Sequence, residues 1–421
     1  MNFLIINIKQ LLQAEVKPKN YVSGKQMAKL PILKNAFLYI ESGRIRDFGK
    51  MEDLSSGRER YFTMSEKIID ASDKIILPTW CDSHTHIVYA GSREKEFVDK
   101  IKGLSYEEIA KRGGGILNSA ALLQQTSEDS LYEQASQRLK EIMALGTGAV
   151  EIKSGYGLSP EAEIKMLRVV KRLKENFPIK IKSTFLGAHA IPPQYKENPD
   201  EYVDIVINEM LPVIAGEDLA DFIDVFCDKG FFSPEQTERI LMAGMKYGLR
   251  AKIHANELDH SGGIEVGVKY HALSVDHIEY TSDDDIQLLL ESDTMPTVLP
   301  GAAFFLNMPL APARKMIDAG LPVAFASDYN PGSSPSGNMN LVLSMACIRY
   351  KLLPEEAINA CTINSAYAMG VSDTHGSIAV GKAANFIITK PISSYEFIPY
   401  SFGNHVIESV YINGELQKEY E

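Results

Sequence analysis

The chain has 421 residues, a net charge of −12, and 45% hydrophobic and 23% charged residues. This is an ordinary folding composition with ample chain for a large core. The acidic balance argues against a nucleic-acid or anionic-membrane partner, since both need a basic face. A small anionic ligand stays open, because one well-placed arginine overrides a distant net charge.

Four cysteines (Cys81, Cys227, Cys347 and Cys361) show no paired spacing. Neither a disulfide framework nor a cysteine-based zinc site is expected, and a reducing, cytoplasmic setting is. The apolar start at residues 3–6 is too short for a signal segment, and no run approaches the ~20 apolar residues of a membrane span.

Up to about residue 77 the sequence offers short β-like runs at 3–8, 36–40, 44–48, 67–69 and 74–77, broken by small polar or glycine residues. From 78 to 374 short apolar runs alternate with amphipathic segments, which predicts a parallel sheet wrapped by helices. The runs are 77–81, 148–152, 183–186, 222–227, 250–253, 272–275, 295–299 and 322–326. That makes eight, the number a closed (β/α)₈ barrel needs. Within a helix expected over 161–177, Ile164, Leu167, Val170 and Leu173 share a face, and Ser159-Pro160 supplies its start. Ser233 and Gln236 carry capping-box spacing.

An open doubly wound sheet is the competing architecture. The Gly113-Gly114-Gly115 run neither follows a strand nor has dinucleotide-loop spacing, so a mobile loop is expected there. Beyond the barrel, runs at 385–389 and 405–412 are β-rich, and Asn413-Gly414 signals a tight turn. The expected fold is a (β/α)₈ TIM barrel over 78–374, with a small β-sandwich built from 1–77 and 375–421.

Chemistry is expected at the C-terminal ends of barrel strands. Five of the nine histidines fall there: His84, His86, His189, His254 and His277. His84 and His86 are two apart on an extended segment, so both point to one side, into the barrel mouth. With His254 and Asp328 they can form an open site for a borderline metal such as zinc or iron. The metal would bring a bound water towards a pKa of ~7 and make it nucleophilic. Singly, each of these residues reads more simply: a strand-end histidine as a bonded core residue, Asp328 as a cap. The joint pattern is what favours a metal centre.

This pattern resembles the amidohydrolase superfamily along essentially the whole chain. Narrower stretches are similar to its imidazolonepropionase family: Ala90-Gly91-Ser92-Arg93-Glu94, Glu151-Ile152-Lys153-Ser154-Gly155-Tyr156-Gly157-Leu158, Thr184-Phe185-Leu186-Gly187-Ala188-His189 and Ser327-Asp328-Tyr329-Asn330-Pro331-Gly332. The resemblance implies hydrolysis of the cyclic C–N bond of 4-imidazolone-5-propanoate to N-formimidoyl-L-glutamate. It implies one zinc or iron ion per subunit on His84, His86, His254 and Asp328, and a homodimer. It also implies substrate contacts by Arg93, Tyr156, His189, Glu257, Asn330, Gly332 and Ser333, with Glu257, His277 or Asp328 moving the proton.

Arg93 is suited to a bidentate carboxylate grip. The amides around Asn330–Ser333 are suited to an anion nest. Glu257, three residues past His254, is placed to face the site from one helical turn. Strand 4 carries no lysine, which favours one metal over a lysine-bridged pair. Pro78-Thr79-Trp80-Cys81 departs from the family's usual strand 1, and Trp80 is expected to pack in the barrel core below the ligands. The competing functions are a mononuclear deaminase or other cyclic amidase, and a catalytically inactive structural relative; the intact ligand set argues against the latter.

Overall fold

A computed structural model describes residues 2–104, 115–402 and 404–420. Five strands precede the barrel: β1 (Phe3–Leu12), β2 (Ile32–Glu41), β3 (Arg44–Lys50), β4 (Lys67–Asp70) and β5 (Ile75–Pro78). Nine strand segments follow: β6 (Trp80–Thr85), β7 (Thr147–Lys153), β8 (Lys180–Ala188), β9 (Phe222–Cys227), β10 (Arg250–Ala251), β11 (Ile253–Ala255), β12 (Ser274–His277), β13 (Met295–Val298) and β14 (Ala324–Phe325). The chain ends with β15 (Phe386–Thr389), β16 (Ile407–Ile412) and β17 (Glu415–Glu419).

The barrel strands run parallel in the order β6-β7-β8-β9-β11-β12-β13-β14, with β10 pairing β9 as the first half of a strand interrupted at Lys252. Bonds between the strand ends close the ring: Asp328 N donates to His84 O (3.0 Å), and His86 N donates to Tyr329 O (2.8 Å). The expected eight-strand barrel therefore forms. Its helices start where the sequence places them. In the helix Pro160–Asn176 the Ser159 side chain accepts from Ala162 N, and Ser233 and Gln236 complete a capping box before Pro234–Lys246. Ile164, Leu167, Val170 and Leu173 are all buried, each worth about 2 kcal/mol of apolar burial before entropy.

Strands from both ends of the chain make the second sheet, in the order β17-β16-β15-β5-β1-β2-β3 with β4 on β1. Phe3 and Phe386 lie at opposite ends of this ladder by register, yet their rings are 6.4 Å apart, and Tyr411 stacks on Phe386 at 4.7 Å. The sheet thus folds over its own core, helped by a bulge in β1 between Ile5 and Ile8. Asn413 and Gly414 both take positive φ (52° and 74°), as a tight hairpin requires.

One expected boundary is wrong. The run at 77–81 is not one strand: β5 pairs antiparallel with β15 in the terminal sheet, and the chain bends at Thr79 before entering the barrel as β6. A continuous apolar run hides a change of sheet, because both of its halves are buried. His84 consequently lies inside β6 rather than beyond a strand end. Trp80 is buried at the start of β6, where its indole N–H donates to Asn340 Oδ1 (3.2 Å) beside Gly146. The triple-glycine segment lies outside the described residues except for Gly115.

Candidate active site

The strand ends converge as chemistry requires. His84 and His86 project to the same side of β6, with ring centroids 5.4 Å apart. His84, His86 and Asp328 offer donor atoms within 4.8 Å of one another; His84, His254 and His277 do so too, as do His86, His189 and His254. The four expected ligands therefore fall in three overlapping groups, which His189 and His277 share on equal terms. His277 (φ 78°), Asp328 (φ 54°) and Asn256 (φ 52°) turn the chain through left-handed conformations at the ends of β12, β14 and β11. Non-glycine residues adopt these at a cost of about 1–3 kcal/mol each, a strain that clusters at functional sites.

Whether these residues suit a metal can be tested on their nitrogens. His84 Nδ1 lies 2.7 Å from Asp276 Oδ2, and His254 Nδ1 lies 3.0 Å from Asp224 Oδ2. His86 Nδ1 lies 3.3 Å from the Ser154 carbonyl. A carbonyl only accepts, so His86 carries its proton on Nδ1, and the Asp276 carboxylate favours the same tautomer in His84. Nε2 of His84 is then left as a lone-pair donor, and that buried atom has no hydrogen-bond partner; on His254 neither ring nitrogen has one, although Asp224 lies beside Nδ1. Burial, and then Lys153 for His84 and His189 for His86, holds both imidazoles well below the ordinary pKa, hence neutral. Neutral, oriented imidazoles beside a carboxylate fit a zinc- or iron-type ion.

A buried ionic network lies beneath. Lys153 Nζ donates to Glu151 Oε1 (2.6 Å) and Asp224 Oδ2 (2.7 Å) and lies 3.5 Å from Asp276 Oδ2. Lys252 bonds Glu151 and the Ser83 carbonyl (3.0 Å). Burial opposes charge on Lys153, but Asp224, Glu151 and Asp276 override it and raise its pKa. The carboxylates that hold two metal-facing histidines are thus themselves held by lysines. No role had been assigned to Asp224, Asp276 or the lysines from sequence. The available signal was a charge inside an otherwise apolar strand, as in Phe222-Ile223-Asp224-Val225.

Above the histidines opens a cavity of about 420 Å³, lined among others by Arg93, Tyr156, His189, Glu257, His277, Asp328, Asn330, Gly332 and Ser333. All the expected substrate-contact residues therefore share one cavity. Phe226, Phe231, Ile116, Leu258 and Lys100 line it as well and were missed. The Phe226 ring lies tilted against His189 (6.0 Å) and His254 (5.7 Å), giving an apolar aromatic wall. His189 Nδ1 bonds the Gly155 carbonyl (3.0 Å), and burial, then His254, pushes its pKa down to about 3, so its free Nε2 is an acceptor. Burial, then Asp328, keeps the Tyr156 hydroxyl protonated.

Three local expectations are corrected. Arg93 already donates from Nε (2.9 Å) and Nη2 (2.5 Å) to Glu96 Oε2, so that edge of its fork is occupied. Its Nη1 is the corner beside Gly332, where a Cβ would clash with it. Lys100 Nζ reaches the Gly332 carbonyl (3.4 Å), adding a second cation at the same wall. The amides of Gly332 and Ser333 do not form an open nest: both donate to Asn330 Oδ1 (2.8 Å each). Asn330 Nδ2 in turn bonds Ser333 Oγ (2.7 Å), which lies 3.2 Å from Asp328 Oδ2. Glu257 sits in a bend, not a helical turn, because Asn256 reverses the chain and Asp228 Oδ2 accepts from Glu257 N (2.7 Å) and Leu258 N (2.8 Å). It nevertheless reaches the site, with Oε2 3.5 Å from His277 Nδ1.

The Amidohydrolase family model matches residues 75–416. An imidazolonepropionase of Christiangramia forsetii is 59% identical over 416 residues, covering 99% of this chain and 100% of that protein. One of Flavobacterium johnsoniae is 59% identical over 413 residues, covering 98% and 99%. The chain belongs to the imidazolonepropionases of the amidohydrolase family. An E. coli guanine deaminase structure covers 100% of both chains with a TM-score of 0.74 at 15% identity, a likeness of fold. Membership of this family implies a metal ion, and the His/Asp groups above could hold one.

Proposed function

We propose that the chain hydrolyses the ring C–N bond of 4-imidazolone-5-propanoate to give N-formimidoyl-L-glutamate, using one zinc or iron ion held by His84, His86, His254 and Asp328. The observation that carries this is the polarity of a single cavity: metal-type donors at its floor, an aromatic wall at Phe226, and Arg93 with Lys100 at its rim. A planar ring bearing a flexible carboxylate matches that order. When bound, the metal supplies Lewis-acid activation of a water and of the ring carbonyl.

The chain's own residues do the rest. Arg93 and Lys100 orient the propionate. The Tyr156 hydroxyl donates to the substrate, and His189 Nε2 accepts from a ring N–H. Burial, then Asp328 and Asp228, raises the pKa of Glu257, so its carboxyl holds a proton readily beside His277. Glu257 or His277 takes the proton from water and returns it to the leaving ring nitrogen. Asp328, which burial pushes up to about 6, is the alternative acceptor.

The test follows the loss of substrate absorbance with metal-replete and chelator-treated enzyme. Chelation should abolish turnover and added zinc or iron restore it. Glu257→Gln and His277→Asn should each lose kcat and one limb of the pH–rate profile. Near-full kcat in both would remove them as proton carriers and leave Asp328. Ammonia among the products would instead favour a deaminase. No described helix is long and apolar enough to cross a membrane, and we further propose a cytoplasmic homodimer.

A further inference from the structure

The segment Ser154–Leu158, between β7 and the helix Pro160–Asn176, touches the site three times. Its Ser154 carbonyl fixes the His86 ring (3.3 Å), its Gly155 carbonyl fixes the His189 ring (3.0 Å), and its Tyr156 ring meets both imidazoles edge-on at 5.6 and 5.4 Å. Loops of this kind have few internal bonds, so something outside must hold the shape. Thr184 and Leu186 hold Ser154, and Gln124 donates to the Gly157 carbonyl (2.8 Å); the amides around Tyr156 are held by Glu163, a fully buried carboxylate one helical turn into the helix. Glu163 Oε2 accepts from Gly155 N (2.9 Å), and Oε1 accepts from Gly157 N (2.6 Å) and Leu158 N (2.9 Å).

We infer that Glu163 is a positioning residue for both the metal centre and the substrate wall: its carboxylate sets where His86, Tyr156 and His189 stand. Both oxygens are needed. The donors are backbone N–H groups on two sides of Tyr156, and each oxygen serves one side. The loop is not relaxed without them, since Gly155 (φ 105°) and Leu158 (φ 51°) sit at positive φ, which Leu158 adopts only under constraint. The fit is also close: a Cβ on Gly157 would lie 2.5 Å from Glu163 N and 2.9 Å from Glu163 Oε1. Buried carboxylates without a lysine or arginine partner are uncommon; burial raises the pKa of Glu163, and the convergent amides offset part of that.

The inference rests on the hydrolytic reading above for its substrate arm, but not for its metal arm. Glu163→Gln keeps the volume and one acceptor oxygen, and turns the other into an NH₂ that faces an N–H. Zinc affinity, measured on the purified protein by competition with a chromophoric chelator, should fall about 10-fold, the low end for loss of support behind a metal-bound histidine. KM for 4-imidazolone-5-propanoate at 20 °C should rise about 10-fold or more, with a smaller change in kcat. Glu161→Gln, on an exposed neighbour, should change neither.

A purely structural role would lower the melting temperature yet leave zinc affinity and KM at wild-type values in the folded protein, and that result overturns the inference. Should Glu163→Gln not fold, Gly157→Ala, which displaces Glu163 from the loop without altering its charge, carries the same expectations and the same refutation. Inactive wild-type enzyme would refute the substrate, while the zinc measurement would still decide the role of Glu163.

Discussion

Replacing Asp224 by asparagine separates support of the metal centre from membership in it. Asp224 is fully buried, with Oδ2 2.7 Å from Lys153 Nζ and 3.0 Å from His254 Nδ1, while Oδ1 accepts from His254 N at 3.1 Å. Burial opposes its charge, but His254 and Lys153 override that and hold its pKa well below the carboxylate range. Asparagine preserves the shape and the bond to His254 N but removes the charge. Breaking a buried pair costs about 3–5 kcal/mol when one ion is stranded. Lys153 is not stranded, because Glu151 remains at 2.6 Å and Asp276 at 3.5 Å, so about 3 kcal/mol is expected. His254 also loses the carboxylate charge beside its Nδ1, and loss of such support behind a metal-facing histidine typically weakens metal binding about 10–100-fold. Urea unfolding of the metal-free protein reads the first quantity and zinc competition the second. Wild-type zinc affinity together with a wild-type urea midpoint would refute the reasoning that this network braces the centre.

Three further outcomes follow from the same physics. Lys100→Met should raise KM about 5–30-fold with kcat little changed, a charge contact of about 1–2 kcal/mol once discounted for the half-exposed position; steady-state kinetics check it, and Lys100→Arg should be mild. Trp80→Ala, which empties a buried site beside Gly146, should cost about 3–5 kcal/mol in urea unfolding without changing KM. His375 is buried, and burial, then Lys180 and Lys382, pushes its pKa down to about 4. Because the folded pKa is depressed, its stabilising contribution is complete above pH ~6.5 and is lost as pH falls through about 4, about 3 kcal/mol in all. His375→Gln should flatten that part of a stability–pH profile measured by urea midpoints.

The barrel was legible because each of its eight strands is an apolar run and several helices, Pro160–Asn176 and Pro234–Lys246 among them, bring their own caps; periodicity and caps are local properties of sequence. The metal-facing histidines were legible because strand ends are known places once strands are counted. What stayed hidden was cooperative. The change of sheet at Thr79 left no mark, since burial on both sides makes β5 and β6 read alike. Asn330 could be seen as a turn residue, but not that its side chain would take the amides it was expected to leave open. Arg93 could be matched to a carboxylate, but the sequence had no means of ranking Glu96, three residues on, against an external ligand. Asp224 and Asp276 sit in mid-strand, and their partners are 71 and 192 residues away in Lys153 and His84.

The charges inside the barrel resolve an apparent conflict with its stability. Glu151, Asp224 and Asp276 against Lys153 and Lys252 make an ionic core where an aliphatic layer would pack at lower cost. An aliphatic layer cannot accept a hydrogen bond from Nδ1 of a histidine. An imidazole whose Nε2 faces the mouth needs an acceptor near Nδ1, and the carboxylates of Asp276 and Asp224 lie there beside His84 and His254. Lys153 braces both carboxylates and, with His254, outweighs burial in holding the pKa of Asp224 down. The −12 net charge of the chain is therefore the wrong scale on which to judge its ligand. The charges that matter are a floor of two lysines and three carboxylates and an excess cation at the rim, where Glu96 pairs with Arg93 and is shared at longer range by Lys100.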